Sequence, residues 1–231
     1  HLRFDDFNNI TIVADSVEMI CTETVQAIQI NNCTNFRLQG IAVDYDPLPF
    51  TQGQIVDMSA DKRILTADFI DGYSTTVRGD KVEIYDSIIG ELTTTTYYGV
   101  TYQIDRENRQ IVITKPSNYR LTNSHEEIGD IVVLGSQKTR HIPHAIVPNG
   151  CTGLVLEDVR LYSGTTFGFF ELNCSGSQYV NCKIDRRPLS TEVAERGVPR
   201  MRSINADGFH SKHATIGPKY LDCLARYNGD D

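Results

Sequence analysis

Some residue types are absent or scarce in this chain of 231 residues, and each absence excludes a class of protein. There is no tryptophan, and no apolar run approaches the ~20 residues that a membrane-spanning helix needs. Six cysteines without a Cys-x-x-Cys motif are too few for a disulfide scaffold. Basic residues are in deficit, with 22 Lys and Arg against 30 Asp and Glu and a formal net charge of −8. Nucleic acids and anionic membranes are therefore unfavourable partners.

Four of the cysteines share a local context. Each stands close behind an asparagine, in the strings NNC, NGC, LNC and VNC. This recurrence is typical of a small apolar side chain at an equivalent turn or strand position. We therefore predict that the cysteines are buried and unpaired.

Helical periodicity is nearly absent, and short segments that alternate apolar and polar residues take its place. Leu156–Leu161 (LEDVRL) aligns with Tyr179–Ile184 (YVNCKI) and, beyond an inserted loop, with Tyr220–Ala225 (YLDCLA). Near the N-terminus, Asn8–Ile12 (NNITI) aligns in the same way with Thr34–Leu38 (TNFRL). Short strands between tight turns that recur at a nearly constant interval predict stacked coils. The predicted fold is all-β, a parallel β-helix.

A different pattern occupies residues 47–150. Longer alternating runs are separated by the hairpin signals SADKR, DRENR and RGD, which predict antiparallel strands. We interpret this region as a β-rich insertion between the first coils, at residues 1–46, and further coils at 151–231. Irregular extra coils of the β-helix are the alternative. A second inserted segment, Arg186–Ser203, is rich in arginine and contains proline and glycine, as is typical of a surface loop.

The end of the sequence holds the acidic residues of most interest. Asp207 lies in the string NADG, and Asp230 and Asp231 follow one predicted coil later in the string NGDD. With a β-helix predicted, these strings resemble motifs of the pectate-lyase-like right-handed parallel β-helix superfamily. Within it they resemble the polygalacturonase and α-1,3-galactosidase types of glycoside hydrolase. The resemblance implies a right-handed β-helix that hydrolyses a galactose- or galacturonate-like residue.

Three carboxylates on adjacent coils suit this chemistry. Stacking places residues one coil apart at about 5 Å, and such crowding favours one protonated carboxyl beside ionised ones. An inverting glycosidase uses that pair, because an acid protonates the leaving oxygen while a base activates the attacking water. The resemblance implies that Asp230 is the acid and that Asp207 and Asp231 hold the water, although spacing alone does not assign the roles. This mechanism needs neither a cofactor nor a metal.

Four further residues are predicted to bind the sugar. Asn205, His210 and Lys212 lie in the same segment, and Arg202 ends the arginine-rich loop, where a guanidinium is a forked donor for hydroxyls or carboxylates. Polygalacturonases typically carry an acidic residue in the place of His210. On a continuous strand His210 and Asp207 would face opposite ways, so a shared site requires a bend. The candidate aromatic platforms for a sugar ring are Phe167, Phe169, Phe170, Phe209 and Tyr227.

Two other functions are left open beside the hydrolase. Clustered carboxylates also suit calcium, which would indicate a calcium-dependent polysaccharide lyase. A β-helix that binds carbohydrate without cleaving it, as adhesins and tailspikes do, is the non-enzymatic alternative. The predicted partner is a carbohydrate, a homo-oligomer is left open, and the predicted location is extracytoplasmic, meaning periplasmic, cell-surface or secreted. We expect the natural protein to continue beyond Asp231, because a last coil ending there would leave a strand edge unpaired.

Overall fold

The structure of the chain is a computed structural model that describes residues 1–77, 79–93, 96–120, 124–135, 143–188 and 199–229. These residues belong to two compact units. The first comprises His1–Pro47, Arg140–Arg186 and Ser203–Asp231, and the second comprises Leu48–Thr139 and Arg187–Arg202. The regular structure of the described ranges consists of strands, which confirms the predicted all-β class. No helix there is long and apolar enough to cross a membrane.

The strands of the described residues follow one another in the order β1 (Leu2–Asp5), β2 (Thr11–Cys21), β3 (Ile28–Asn31), β4 (Arg37–Tyr45), β5 (Phe50–Met58), β6 (Ile64–Phe69), β7 (Lys81–Tyr85), β8 (Thr101–Asp105), β9 (Gln110–Thr114), β10 (Ile131–Gly135), β11 (Ile146–Asn149), β12 (Val155–Glu157), β13 (Arg160–Leu161), β14 (Phe169–Leu172), β15 (Gln178–Val180), β16 (Lys183–Ile184), β17 (Phe209–Lys212), β18 (Lys219–Leu221) and β19 (Leu224–Ala225).

Two parallel sheets form the first unit. One sheet has the order β1-β3-β11-β14-β17. The other has the order β18-β15-β12-β4-β13-β16-β19, with β2 also paired to β4. Because parallel neighbours cannot be joined by a hairpin, the chain must cross over between them. From β1 to β3 and from β11 to β14 it does so through strands of the other parallel sheet.

The register of these sheets is the register of the sequence alignments. Leu156 pairs with Tyr179, and Tyr179 pairs with Tyr220, as the alignment of their three segments requires. Near the N-terminus, Ile12 pairs with Leu38, its counterpart in the second aligned pair. Inward side chains at equivalent positions pack on one another. They form one apolar core, which includes Ile28, Ile30, Leu38, Ile146, Leu156, Phe169 and Tyr179.

Turn residues also repeat in register. The residues that follow four paired strand ends all adopt the left-handed conformation, which glycine and asparagine tolerate best. They are Asn32 (φ 53°), Gly150 (φ 68°), Asn173 (φ 52°) and His213 (φ 58°). Cys33, Cys151 and Cys174 come directly after the first three and are buried. All six cysteines are free and five of them are buried, which confirms the prediction for all but the half-buried Cys223.

The second unit contains an antiparallel sheet with the strand order β7-β10-β5-β6-β9-β8. Alternate side chains of its strands pack into a separate apolar core that includes Ile55, Leu65, Ile111 and Val132. Antiparallel pairing distinguishes this sheet from the parallel sheets of the first unit. The domain boundaries at residues 46 and 150, and the interpretation of the region between them as an insertion, stay predictions.

Candidate functional site

The acidic segment is positioned by main-chain hydrogen bonds. In the parallel pair of β14 and β17, Phe209 lies beside Phe169 and His210 beside Phe170. Just before these strands, the Gly168 N–H donates to the carbonyl oxygen of Asp207 at 3.0 Å. The backbone that carries Asp207 is therefore held by the neighbouring strand segment.

Asp207 and His210 form a side-chain pair. Oδ2 of Asp207 is in hydrogen-bonding contact with Nδ1 of His210, and the two side chains are 28% and 25% exposed. The chain bends at Gly208, so both side chains reach the same place, which a continuous strand would prevent. A carboxylate at Nδ1 fixes the orientation of an imidazole and favours the tautomer with its proton on that nitrogen. The pair can therefore hold and move a proton in a partly solvated position.

Gly208 is required at the bend because a side chain has no room there. A Cβ atom on Gly208 would overlap the Cβ of Ala225 and lie 3.2 Å from Nδ2 of Asn228. The next coil is tied to the same segment, since the Gly229 N–H donates to the carbonyl oxygen of Ile204 at 2.9 Å. Residues 203–208 thus lie beside residues 225–229. Asp230 and Asp231, the other two predicted catalytic residues, lie outside the described residues.

Aromatic rings surround His210. The Phe167 ring lies between two imidazoles, with centroids 4.3 Å from His210 and 4.9 Å from His144, and with planes 11° and 8° from parallel. Phe170 contacts both imidazoles, at 5.4 Å and 4.2 Å. Both faces of Phe167 are therefore covered, and this ring supports His210 instead of offering a platform to a sugar.

His144 belongs to this cluster, although sequence analysis did not select it. Its Nδ1 lies 2.7 Å from Oγ1 of Thr166. Burial, together with the proximity of His210 and Lys212, lowers the pKa of His144 to about 4. His144 is therefore neutral at and above neutral pH.

Register is the signal that could have found His144. His144 stands two residues before β11, as Phe167 does before β14 and Asp207 before β17. These three residues are consecutive members of one column in the parallel sheet. The imidazole of His144, the phenyl ring of Phe167 and the carboxylate of Asp207 therefore follow one another along the same end of the sheet.

The other predicted sugar-binding residues of the first unit have different environments. Lys212 is exposed, and its Nζ lies 5.7 Å from the ring centroid of Phe170, which brings a cation to the cluster around His210. Asn205 is 3% exposed. Lys212 is therefore accessible to a ligand from solvent, whereas Asn205 is enclosed by protein.

Arg202 departs from the expectation. It is fully buried in the second unit, where Nη1 donates to Oε2 of Glu83 at 2.8 Å. Nζ of Lys81 lies 2.7 Å from the other carboxylate oxygen. Burial by itself would raise the pKa of Glu83, but the charges of Arg202 and Lys81 outweigh burial and lower it. A guanidinium that is enclosed with a buried carboxylate does not reach a sugar, so Arg202 has no part in the site proposed below.

The remaining aromatic candidates lie in the core or are covered. Phe169 lies in the apolar core of the first unit, and the half-buried Phe209 stacks on it with ring centroids 4.9 Å apart. The guanidinium of Arg186 lies 3.6 Å from the ring centroid of Tyr227. Phe170 is thus the predicted platform residue that contacts both His210 and Lys212.

Metal ligands would have to come from clustered donor side chains. Within the described ranges, no group of three or more His, Cys, Asp or Glu side chains is arranged to hold a metal ion. The calcium alternative depends on Asp230 and Asp231 together with Asp207, and two of these lie beyond residue 229.

Comparison with known proteins finds solved structures that are similar to this chain at a low level. No protein-family model matches the chain, and no curated protein matches it. One of the solved structures is the Gp54 tailspike of Acinetobacter baumannii bacteriophage AP22 in complex with A. baumannii capsular saccharide, with 10% identity and a TM-score of 0.20. The match covers 100% of this chain and 46% of the tailspike chain, so the chain spans less than half the length of that protein. At this TM-score the likeness assigns neither a fold nor a ligand.

Proposed function

We propose that the chain is a carbohydrate-acting right-handed parallel β-helix with a β-rich insertion, and that it is a glycoside hydrolase of the inverting type. Its substrate is a galactose- or galacturonate-like residue of a polysaccharide or glycan outside the cytoplasm. The observation that carries the proposal is the Asp207–His210 pair, partly exposed where residues 203–208 lie beside residues 225–229.

The β-helix is supported by the order of pairing in the first unit. Strands β12, β15 and β18 follow one another along the chain and lie side by side in parallel and in register, as β2 and β4 do, so the chain returns to the same place in each sheet. A coil that repeats in this way is the building unit of a solenoid. The same registry supports a site made from two coils, because it places the NADG segment next to the residues that lead into NGDD.

The proposed mechanism divides three roles among the carboxyl groups. Asp230 protonates the glycosidic oxygen of the leaving group. Asp207 and Asp231 hold a water molecule, which gives up a proton to a carboxylate as its oxygen bonds to the anomeric carbon from the opposite face. The bond to the leaving oxygen breaks, and the product has the inverted anomeric configuration.

His210 and Lys212 have supporting roles in this proposal. The imidazole of His210, stacked on Phe167 and bound to Oδ2 of Asp207, keeps the carboxylate in one orientation. Lys212 places an ammonium near Phe170, where it can bind a hydroxyl or carboxylate of the sugar. The acidic residue that polygalacturonases carry at the position of His210 is thereby replaced by a partner for Asp207.

The test is hydrolysis of chromogenic α-galactosides and of polygalacturonate by the full chain, with the product anomer followed by NMR. Asp207→Asn should lower the rate by roughly 10²–10⁴-fold, the usual contribution of a general acid or base. Asp222→Asn is the matched control, because Asp222 is exposed, has a left-handed φ of 54° that asparagine tolerates, and should leave the rate unchanged.

Other outcomes of this test would indicate a different function. Calcium-dependent release of an unsaturated product that absorbs in the ultraviolet would indicate a lyase. Saccharide binding without turnover would indicate a non-enzymatic binding β-helix. A turnover rate that survives Asp207→Asn in a correctly folded chain would remove Asp207 from the mechanism.

A further inference from the structure

The antiparallel unit contains a cavity of about 310 Å³. Three tyrosines, a proline, an amide and a guanidinium contribute to its lining, namely Tyr97, Tyr98, Pro116, Asn118, Tyr119 and Arg120. The volume is at the lower end of the ~300–1,000 Å³ that is typical of ligand pockets. All of these residues belong to the second unit, so the cavity is independent of the Asp207–His210 pair.

The inner wall of the cavity is preformed. The backbone of Tyr97 exchanges two hydrogen bonds of 2.8 Å with Val82. The hydroxyl oxygens of Tyr97 and Tyr119 lie 3.2 Å and 2.6 Å from Oγ of Ser124. Two aromatic rings are thus fixed by their backbone and by their polar tips, so a ligand would not have to order them.

A buried ion pair supports this wall from behind. Nζ of Lys115 lies 4.6 Å and 4.4 Å from the ring centroids of Tyr97 and Tyr119, which are cation–π distances. The same ammonium is bound to the carboxylate of Glu126, and both side chains are buried. Because Glu126 offsets the charge of Lys115, the wall itself presents rings and not a net charge.

The rim of the cavity is polar and positive. Tyr98 is 39% exposed, and Asn118 and Arg120 are exposed. Arg120 carries a charge, and no carboxylate is present among the described residues of the lining. An apolar ligand would desolvate the amide and the guanidinium without replacing their hydrogen bonds. The rim therefore fits a ligand that has hydroxyl groups and one anionic group as well as an apolar face.

We propose that this cavity binds an acidic sugar residue, a uronic acid carried in a polysaccharide chain. The C–H face of the sugar ring packs on Tyr98, Asn118 binds its hydroxyl groups, and Arg120 takes the carboxylate in a forked contact. The cavity is a binding site without catalysis.

The test uses the full chain with Asp207→Asn to prevent turnover, on an array of uronic-acid oligosaccharides printed beside their neutral counterparts. At least one acidic oligosaccharide should be retained more strongly than its neutral counterpart. Arg120→Gln should weaken its binding tenfold or more in calorimetry, and Tyr98→Ala should weaken acidic and neutral forms alike. Arg106→Gln, an exposed arginine of the same unit, is the matched control and should bind as the parent does.

Two results would overturn the proposal. Either no acidic oligosaccharide is retained, or its affinity is the same in the Arg120→Gln and Arg106→Gln variants. Turnover separates this inference from the hydrolase proposal, because Arg120→Gln in an otherwise unchanged chain should hydrolyse a small chromogenic glycoside at the parent rate. Binding that depends on Arg120 in a chain without any turnover would sustain the cavity while the hydrolase proposal fails.

Discussion

Phe167 and His210 lie face to face, with ring centroids 4.3 Å apart and planes 11° from parallel. Asp207 meets the same imidazole at Nδ1. His210 is therefore fixed through its edge by a carboxylate and through its face by a phenyl ring. Register places Phe167 beside Asp207, because each precedes its strand by two residues, and the bend at Gly208 brings His210 to the same place.

Replacing Phe167 should change the NMR chemical shift of His210. In Phe167→Leu the Hε1 resonance of His210 should move downfield, because a stacked ring shields the protons beneath it and leucine has no ring current. Aromatic pairs contribute about 0.5–1.5 kcal/mol beyond the area they bury, so the free energy of unfolding should fall by about 1 kcal/mol. Phe7→Leu, at an exposed phenylalanine of the first unit, is the control and should leave the resonance in place. An unmoved His210 resonance in Phe167→Leu would exclude the stack.

His144 should make the protein less stable in mild acid. Its folded pKa of about 4 lies below the ordinary value of 6.5, because burial disfavours the charged imidazolium. Between these two values the unfolded chain binds a proton that the folded chain does not. The free energy of unfolding should therefore fall as the pH is lowered from about 6.5 toward 4.

The measurement is a histidine NMR titration, in which the His144 midpoint should lie near pH 4, combined with urea unfolding at several pH values. In His144→Gln the dependence of the unfolding free energy on pH should become shallower over this range. A midpoint for His144 near its ordinary value would contradict the half-buried position of this side chain beside His210 and Lys212.

We expect Arg202 to stabilise the fold and not to bind a sugar. Arg202→Met leaves the buried carboxylate of Glu83 with Lys81 as its remaining cation, and removing one partner of a buried pair typically destabilises a protein by about 3–5 kcal/mol. Lys81 should keep the loss toward the lower end of that range in urea unfolding. Arg202 and Lys81 lower the pKa of Glu83 in the folded protein. The ion pairs therefore stabilise the fold fully at pH values above the pKa of Glu83 in the unfolded chain, and this stabilisation is lost as the pH falls through the pKa in the folded protein. Unchanged stability together with lost saccharide binding would instead restore the sugar-binding role.

Residues whose role is set by nearby sequence could be predicted, whereas residues whose role is set by a distant partner could not. Leu156, Tyr179 and Tyr220 could be aligned because each coil repeats its own apolar and turn residues. Arg202 could not be interpreted, because its partner Glu83 lies far earlier in the chain and no local pattern marks the pairing. The need for a glycine at the bend between Asp207 and His210 is likewise set by a distant residue, because Ala225 fills the space beside Gly208.

The left-handed turn residues that repeat in register allow two contributions to the free energy of unfolding to be separated, that of the backbone conformation and that of the side-chain hydrogen bond. Asn173 has a φ of 52°, and its Nδ2 donates to Oδ1 of Asn149 at 3.1 Å. Asn173→Ala loses this bond and replaces a residue that tolerates the left-handed region with one that does not, which costs about 1–2 kcal/mol, whereas Asn173→Gly loses the bond but keeps the backbone conformation accessible. Gly176→Ala is the matched variant, because its φ is 67° and no atom lies within 4 Å of an added Cβ, so it isolates the conformational term. Urea unfolding should rank Asn173→Ala below Asn173→Gly in stability. Equal stabilities of the two variants would mean that the side-chain hydrogen bond, and not the left-handed conformation, is the reason why asparagine recurs in these turns.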